Sequence, residues 1–348
     1  MPQLRVLVAD DSLAFRSILV DSLKKLPAAR IVALAGNGQE AIDKFNDSSP
    51  DVITLDVEMP VLDGFQVLEK LRPRLGQTAV IMVSAMTHRS AGATIRALEL
   101  GAFSFITKPE ETSPDKNREI LRQQLSAVFD AIAAKRAPAP AEAAPAMASP
   151  SLRKNAAQPK IIGIGTSTGG PHALTEVLPR LPASLSVPVV VVQHMPPLFT
   201  ASLAETLAAK CAVKVVQADH GMILQAGTVY IAPGGRHLRV ADDGPATPKR
   251  IELTMDPPEH FCRPSVDYMF RSLAATYRAH AVGVILTSMG QDGAQGLLAM
   301  RQAGATTIGQ DAATCTVYGM PREAYQLGAV ELQLPLDRIA ERIAKLAG

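Results

Sequence analysis

Between residues 133 and 159 the chain changes character. It reads Ala-Ala-Lys-Arg-Ala-Pro-Ala-Pro-Ala-Glu-Ala-Ala-Pro and continues in that style, without Ile, Val or any aromatic residue. Such a segment cannot bury enough apolar surface to offset its ordering entropy. Its repeated Ala-Pro steps favour an extended, semi-stiff spacer. What folds must therefore fold on one side or the other, as a domain over 1–132 and a second over 160–348. A chain of 348 residues is long for one domain and comfortable for two. With 47% hydrophobic and 20% charged residues, it has enough apolar material for a sizeable core.

The first 132 residues alternate strand-like and helix-like segments. Apolar runs at 4–9, 31–35, 52–55, 80–83 and 103–107 each end in polar or glycine-rich turns. Between them fall helical patterns, one capped by Ser12 and carrying Leu13, Ile18, Leu19 and Leu23 on a broad face. A last helix is expected from about 114 to about 133. The runs are too uniformly apolar for half-exposed strands, which predicts a five-stranded parallel, doubly wound α/β sheet covered on both faces.

Polar residues sit where such a sheet binds ligands. Asp10 and Asp11, Asp56, Ser84 and Lys108 each directly follow an apolar run, and ligands bind at the carboxyl ends of parallel strands. Three carboxylates gathered there repel one another, and a hard divalent cation such as Mg²⁺ relieves that repulsion. A carboxylate is also a possible phosphoryl acceptor. A phosphoryl group on Asp56 would need positive charge from the metal and Lys108, and Ser84 could donate to one of its oxygens. Any one of these residues after a strand reads better as a loop residue or helix cap; for the five together that reading is poor.

Residues 1 to about 130 resemble the receiver domain of two-component response regulators. The resemblance rests on Asp10-Asp11-Ser12, Thr54-Leu55-Asp56-Val57-Glu58-Met59-Pro60 with Asp63-Gly64, Ser84-Ala85 and Thr107-Lys108-Pro109. It implies that Asp56 is phosphorylated by a histidine kinase. It implies that Asp10, Asp11, Asp56 and the backbone carbonyl of Glu58 hold Mg²⁺, and that Ser84 and Phe105 shift together on phosphorylation. A receiver says nothing about its output.

Beyond the spacer, residues 161–165 form an apolar run leading into Thr166-Ser167-Thr168-Gly169-Gly170-Pro171 and a helical pattern. Gly165-x-Ser167-x-Gly169 thus lies at a strand-to-helix turn, which could expose a nucleophilic hydroxyl or cradle a phosphate. The next strand, 187–193, ends in His194. Of the seven histidines, only His194 and His237 follow strands closely, and His237 comes later in its loop. Another buried strand, 281–287, leads to Ser288-Met289-Gly290-Gln291-Asp292-Gly293, where Asp292 reads as a helix cap, a catalytic carboxylate or both. In a mostly parallel sheet the loops bearing Ser167, His194 and Asp292 converge on one edge, and together they are the parts of a hydrolytic triad. Their order differs from the α/β-hydrolase order Ser, Asp, His, which argues for a separate fold.

Residues 160–348 resemble the catalytic domain of the chemotaxis protein-glutamate methylesterase/glutamine deamidase family. The matching stretches are residues 164–171, 192–196, 230–235, 263–267, 286–294 and 318–322. A receiver joined to this domain across a Pro/Ala-rich spacer is the whole family architecture. The resemblance implies a serine hydrolase acting on γ-methyl-glutamyl esters and glutamines of methyl-accepting chemoreceptors, with no cofactor for the ester chemistry. It implies backbone amides of Thr168 and Met289 as the oxyanion site. Thr166 departs from the family's usual Ala, Ser288 from Gly, and Ala312-Ala313-Thr314 from acid-Ala-Thr. The unphosphorylated receiver is expected to pack over the mouth of the Ser167 site.

Other classes fit less well. A net charge of +2, with 35 basic and 33 acidic residues, offers no nucleic-acid face. Aromatics are 4%, with no Trp, so base-stacking platforms are not expected. The Gly165–Gly170 region lacks the Lys of a P-loop. Cys211, Cys262 and Cys315 form no CxxC pair, so neither a disulfide framework nor a cysteine zinc site is expected. The N-terminal apolar run is too short for an export signal and no stretch suits a membrane span, so a cytoplasmic location is expected.

Overall fold

The computed structural model describes residues 3–136, 157–241, 244 and 247–348. They divide into two compact units, Met1–Ala137 and Pro138–Gly348. Most of the spacer read over 133–159 lies outside the described residues.

In the first unit the elements are β1 (Leu4–Ala9), α1 (Leu13–Lys24), β2 (Ala29–Ala35), α2 (Gly38–Ser48), β3 (Val52–Asp56), α3 (Gly64–Leu71), β4 (Ala79–Ser84), α4 (His88–Glu99), β5 (Ser104–Thr107) and α5 (Pro114–Arg136). The strand order is β2-β1-β3-β4-β5, and every neighbouring pair is parallel. Strands β3 and β4 are buried along their whole length, as a sheet covered on both faces requires. The edge strand β2 differs from the uniform burial expected, since all but its last residue are half-exposed or exposed.

Helix α5 also runs past the expected boundary, through Ala133-Ala134-Lys135-Arg136. These are good helix formers, and the last of them is tied down. Arg136 donates to Asp51 Oδ1 at 2.7 Å, to Asp51 O at 3.1 Å and to Gln77 O at 3.0 Å.

The second unit contains β6 (Ile161–Thr166), α6 (Gly170–Val177), β7 (Val189–Gln193), α7 (Pro197–Ala208), β8 (Lys214–Gln217), β9 (Thr228–Ile231), β10 (His237–Ala241), β11 (Arg250–Thr254), α8 (Val266–Tyr277), β12 (Ala281–Ile285), α9 (Ala294–Gln302), β13 (Thr306–Gln310), α10 (Met320–Gln326), β14 (Leu332–Leu334) and α11 (Leu336–Ala347). Seven strands form a sheet in the order β14-β13-β12-β6-β7-β9-β8, with each neighbouring pair parallel. A separate antiparallel pair, β10 and β11, stands beside it. Met269, Phe270 and Leu273 of α8 and Leu297 and Met300 of α9 are fully buried in one core, each contributing about 1.5–3 kcal/mol. Because β6 lies between β12 and β7, the loops leaving these three strands emerge side by side.

Close packing fixes Gly64 in the first unit. A Cβ on Gly64 would lie 2.1 Å from the carbonyl oxygen of Asp56, so α3 starts against the end of β3 only without a side chain. We expect Gly64→Ala to destabilise this unit by about 1–3 kcal/mol through overpacking, read as a lower urea midpoint for its unfolding transition in the full chain. An unchanged midpoint would show that the β3–α3 turn has room to relax.

Candidate functional sites

At the carboxyl edge of the first sheet, Asp10, Asp11 and Asp56 each bring a carboxylate oxygen within 4.8 Å of the others. Asp10 and Asp56 are buried and Asp11 is exposed. Lys108 Nζ stands between the buried pair, 2.7 Å from Asp56 Oδ2 and 3.0 Å from Asp10 Oδ2. Its ammonium also lies 4.7 Å from the centre of the Phe15 ring. Burial raises the Asp56 pKa to about 6; Lys108 opposes the shift and the charge of Asp10 adds to it. Burial would lower the Lys108 pKa, but Asp56 and Asp10 raise it.

The donor set suits a hard divalent cation. Asp10 Oδ2 is buried and accepts no hydrogen bond among the described residues, leaving it only the ion pair with Lys108. The Glu58 carbonyl likewise accepts none among them. All available ligands are oxygens, the preference of Mg²⁺. The Glu58 carboxylate is turned elsewhere and accepts from Ser90 Oγ at 2.9 Å. Ser84 is fully buried, and its hydroxyl accepts from Thr94 Oγ1 at 3.0 Å. Phe105 is half-buried on β5, in register with Met82. Phe15, Ser90 and Thr94 carry no signal in the sequence, because their partners lie on other elements.

In the second unit, Ser167, His194 and Asp292 do follow β6, β7 and β12. The loops are laced together: His194 N donates to Thr166 O at 3.2 Å and Ser167 N to Thr287 O at 3.3 Å. Thr166 Oγ1 adds a bond to Thr287 O at 2.9 Å, giving this departure from the family pattern a structural part. Gly169 turns the chain at φ 79°, and a Cβ there would lie 2.5 Å from Thr316 Cβ. Gln193 is buried at the end of β7, with Nε2 on Ser167 O at 2.9 Å and on His194 O at 3.2 Å. This glutamine was also missed, although an amide closing an all-valine strand was a visible signal.

His194 Nε2 lies 2.8 Å from Asp292 Oδ2. Asp292 does not cap its own helix; Gly293 is the N-cap of α9. Its carboxylate instead receives the start of α8. Val266 N reaches Oδ2 at 2.7 Å, while Asp267 N and Ser265 Oγ reach Oδ1 at 2.9 and 2.8 Å. Burial would raise the Asp292 pKa, yet His194 and these amides bring it down to about 2. Burial would lower that of His194, but bonds to Asp292 and Cys262 raise it to about 10.

Ser167 Oγ has no hydrogen-bond partner among the described residues, and the second ring nitrogen of His194, Nδ1, faces Cys262 Sγ at 3.6 Å. The pair His194–Asp292 is assembled, whereas contact of the serine with the imidazole is not. The amides of Thr168 and Met289 donate to no acceptor among the described residues. His237 is fully occupied: it stacks on Tyr268 at 4.5 Å, accepts from Ser265 N and bonds Pro257 O.

An acidic strand-end pocket on one unit and a paired imidazole and carboxylate on the other define a class, a response regulator whose output is an enzyme. Residues 6–121 match the response regulator receiver domain model, and residues 162–343 the CheB methylesterase model. A protein-glutamate methylesterase/protein-glutamine glutaminase of Agrobacterium fabrum is 47% identical over 343 residues, covering 98% of this chain and 96% of its own. Its counterpart from Desulfotalea psychrophila is 41% identical over 363 residues, covering 99% and 98%. The crystal structure of the Thermotoga maritima CheB methylesterase catalytic domain matches at 38% identity and a TM-score of 0.53, over 55% of this chain and 100% of its own. The chain belongs to the CheB methylesterase family. Among its described residues no helix is long and apolar enough to cross a membrane.

The raised Asp56 pKa has a stability consequence. A carboxyl whose pKa is higher folded than unfolded stabilises the protonated fold, and that contribution is lost as pH rises through about 6. We expect Asp56→Asn to stabilise the receiver by about 3 kcal/mol at neutral pH, with the difference vanishing below about pH 4. Denaturant unfolding at the two pH values measures it. A variant less stable at both would mean that Lys108 contributes more than burial and repulsion cost.

Proposed function

We propose that the chain hydrolyses γ-methyl-glutamyl esters, and deamidates glutamines, on the cytoplasmic helices of methyl-accepting chemoreceptors, with Ser167 as nucleophile. The observation that carries this reading is the 2.8 Å pair between His194 Nε2 and Asp292 Oδ2, set one loop away from Ser167. Asp292 fixes the imidazole with its proton on Nε2, leaving Nδ1 to take the Ser167 proton. The serine oxygen attacks the ester carbonyl, and the developing oxyanion accepts from the amides of Thr168 and Met289. The proton on Nδ1 passes to the methoxy leaving group, and methanol departs. Water then gives its proton to Nδ1, attacks the glutamyl-enzyme and releases glutamate and Ser167. With a carboxamide the leaving group is ammonia.

The receiver restrains this output until Asp56 accepts a phosphoryl group from a histidine kinase. Asp10, Asp11, Asp56 and the Glu58 carbonyl would hold Mg²⁺, which when bound supplies positive charge to the phosphoryl oxygens. Lys108 already stands on Asp56 to share that charge, and Ser84 and Phe105 are the residues that respond. The place of action is the cytoplasm, where kinase and receptor helices meet.

Methanol release from methylated receptor, with and without a small phosphodonor, tests the reading. Ser167→Ala is expected to lower the rate at least about 10³-fold, and Asp292→Asn about 10⁴-fold through the wrong tautomer. Asp56→Asn is expected to abolish stimulation by the phosphodonor. Release that survives in Ser167→Ala would assign the chemistry to another nucleophile.

A further inference from the structure

The three free cysteines are all half-buried, but their neighbours differ. Burial pushes the Cys211 thiol up to about 11 and raises that of Cys315 as well, which makes both poor nucleophiles. Cys262 instead lies against an imidazole, with Sγ 3.6 Å from His194 Nδ1.

The turn that puts it there is strained. Glu259 and Cys262 exchange backbone hydrogen bonds at 2.7 and 3.1 Å. Between them His260 and Phe261 sit at φ 49° and 62°, the left-handed region, which costs a residue with a side chain about 1–2 kcal/mol. The turn sends Phe261 wholly into solvent and pairs His260 Nε2 with Asp267 Oδ2 at 3.1 Å. Cys262 is left pointing at the base. Since Asp292 engages Nε2, Nδ1 is the nitrogen that must serve Ser167, and the thiol is already on it.

Resting on the reading of His194 as general base, we propose that Cys262 is a positioning residue of this site: its thiol shares one proton with His194 Nδ1, holding the base idle in the resting enzyme and making Cys262 the reactive thiol of the chain. The titratable groups on the ring are Asp292, from the loop after β12, and Cys262, from the turn before α8. His260 and Asp267 lie behind Asp292. Both contacts on the ring hold its proton, consistent with the raised affinity of the imidazole. Removing the thiol makes the neutral base available at lower pH.

Two measurements on the full chain test this. In the pH profile of kcat/KM for methanol release, Cys262→Ala is expected to move the acid limb down by about one unit, raising the rate at pH 7 up to about tenfold. Cys262→Ser, whose hydroxyl is too weak an acid to share the proton, should follow Cys262→Ala. A limb that stays in place, or a serine variant that behaves as the wild type, overturns the proposal.

The second measurement is carbamidomethylation by iodoacetamide at pH 7, read thiol by thiol by mass spectrometry. The sulfur attacks the methylene carbon, iodide leaves and the shared proton stays on His194. Cys262 should react faster than Cys211 and Cys315, and His194→Gln should slow Cys262 several-fold without slowing the other two. A rate at Cys262 indifferent to His194 overturns the pairing, even where methanol release upholds the esterase reading. No methanol release with His194-dependent labelling would leave the pairing standing and sink the esterase reading.

Discussion

A carboxylate taken out of water needs donors, and Asp292 finds them at the start of a helix that is not its own. Two amides and a hydroxyl from Ser265, Val266 and Asp267 converge on it, with His194 as the fourth partner. The unpaired amides and dipole of a helix N-terminus favour an anion there. Much else depends on this one contact. It orients the imidazole, ties the loop after β12 to the start of α8, and leaves a single ring nitrogen facing the remaining side chains. Asp267 takes part twice, since its amide serves Asp292 while its own buried carboxylate accepts from Gly296 N at 2.5 Å and pairs with His260.

The receiver treats buried acids in the opposite way. Asp56 and Asp10 share one lysine and few amides, and burial outweighs what Lys108 returns. One site therefore holds its carboxylate well below the usual carboxylate range, tied to the imidazole and to three donors at the start of α8. The other keeps acids crowded and under-neutralised, ready for added positive charge. Both sit at the carboxyl ends of parallel strands, so the difference comes from the neighbours rather than from the fold.

What could be read from the sequence follows from this geometry. A parallel strand announces itself by its apolar run, and the polar residue that ends it falls at the binding edge wherever the sheet places it. Asp56, Ser84, Lys108, Ser167 and His194 were legible for that reason. The donors of Asp292 were not, because α8 reaches it from 25 to 27 residues away in the chain. Neither was the approach of Cys262, which depends on left-handed turns at His260 and Phe261 that no Gly or Asn advertises. The exposure of β2 followed from its place at the sheet edge, and strand order is not written in periodicity. The end of α5 is not legible in the sequence, because Ala and Lys serve a helix as well as a spacer, and only the clamp of Arg136 on Asp51 decides between them.

The pairing of β6 with β12 has a consequence for how the molecule is made. Thr166 finds the Thr287 carbonyl across 121 residues, and closing so long a loop has an entropic cost that local contacts cannot offset in advance. Chains emerge from the ribosome amino end first, and domains fold as units. Once Arg136 has been added, every strand of the receiver exists, whereas β6 and β7 must wait for β12 before their loops have a third neighbour. The regulator is thus complete before the part it regulates, and an interrupted chain is left with a switch and no machine.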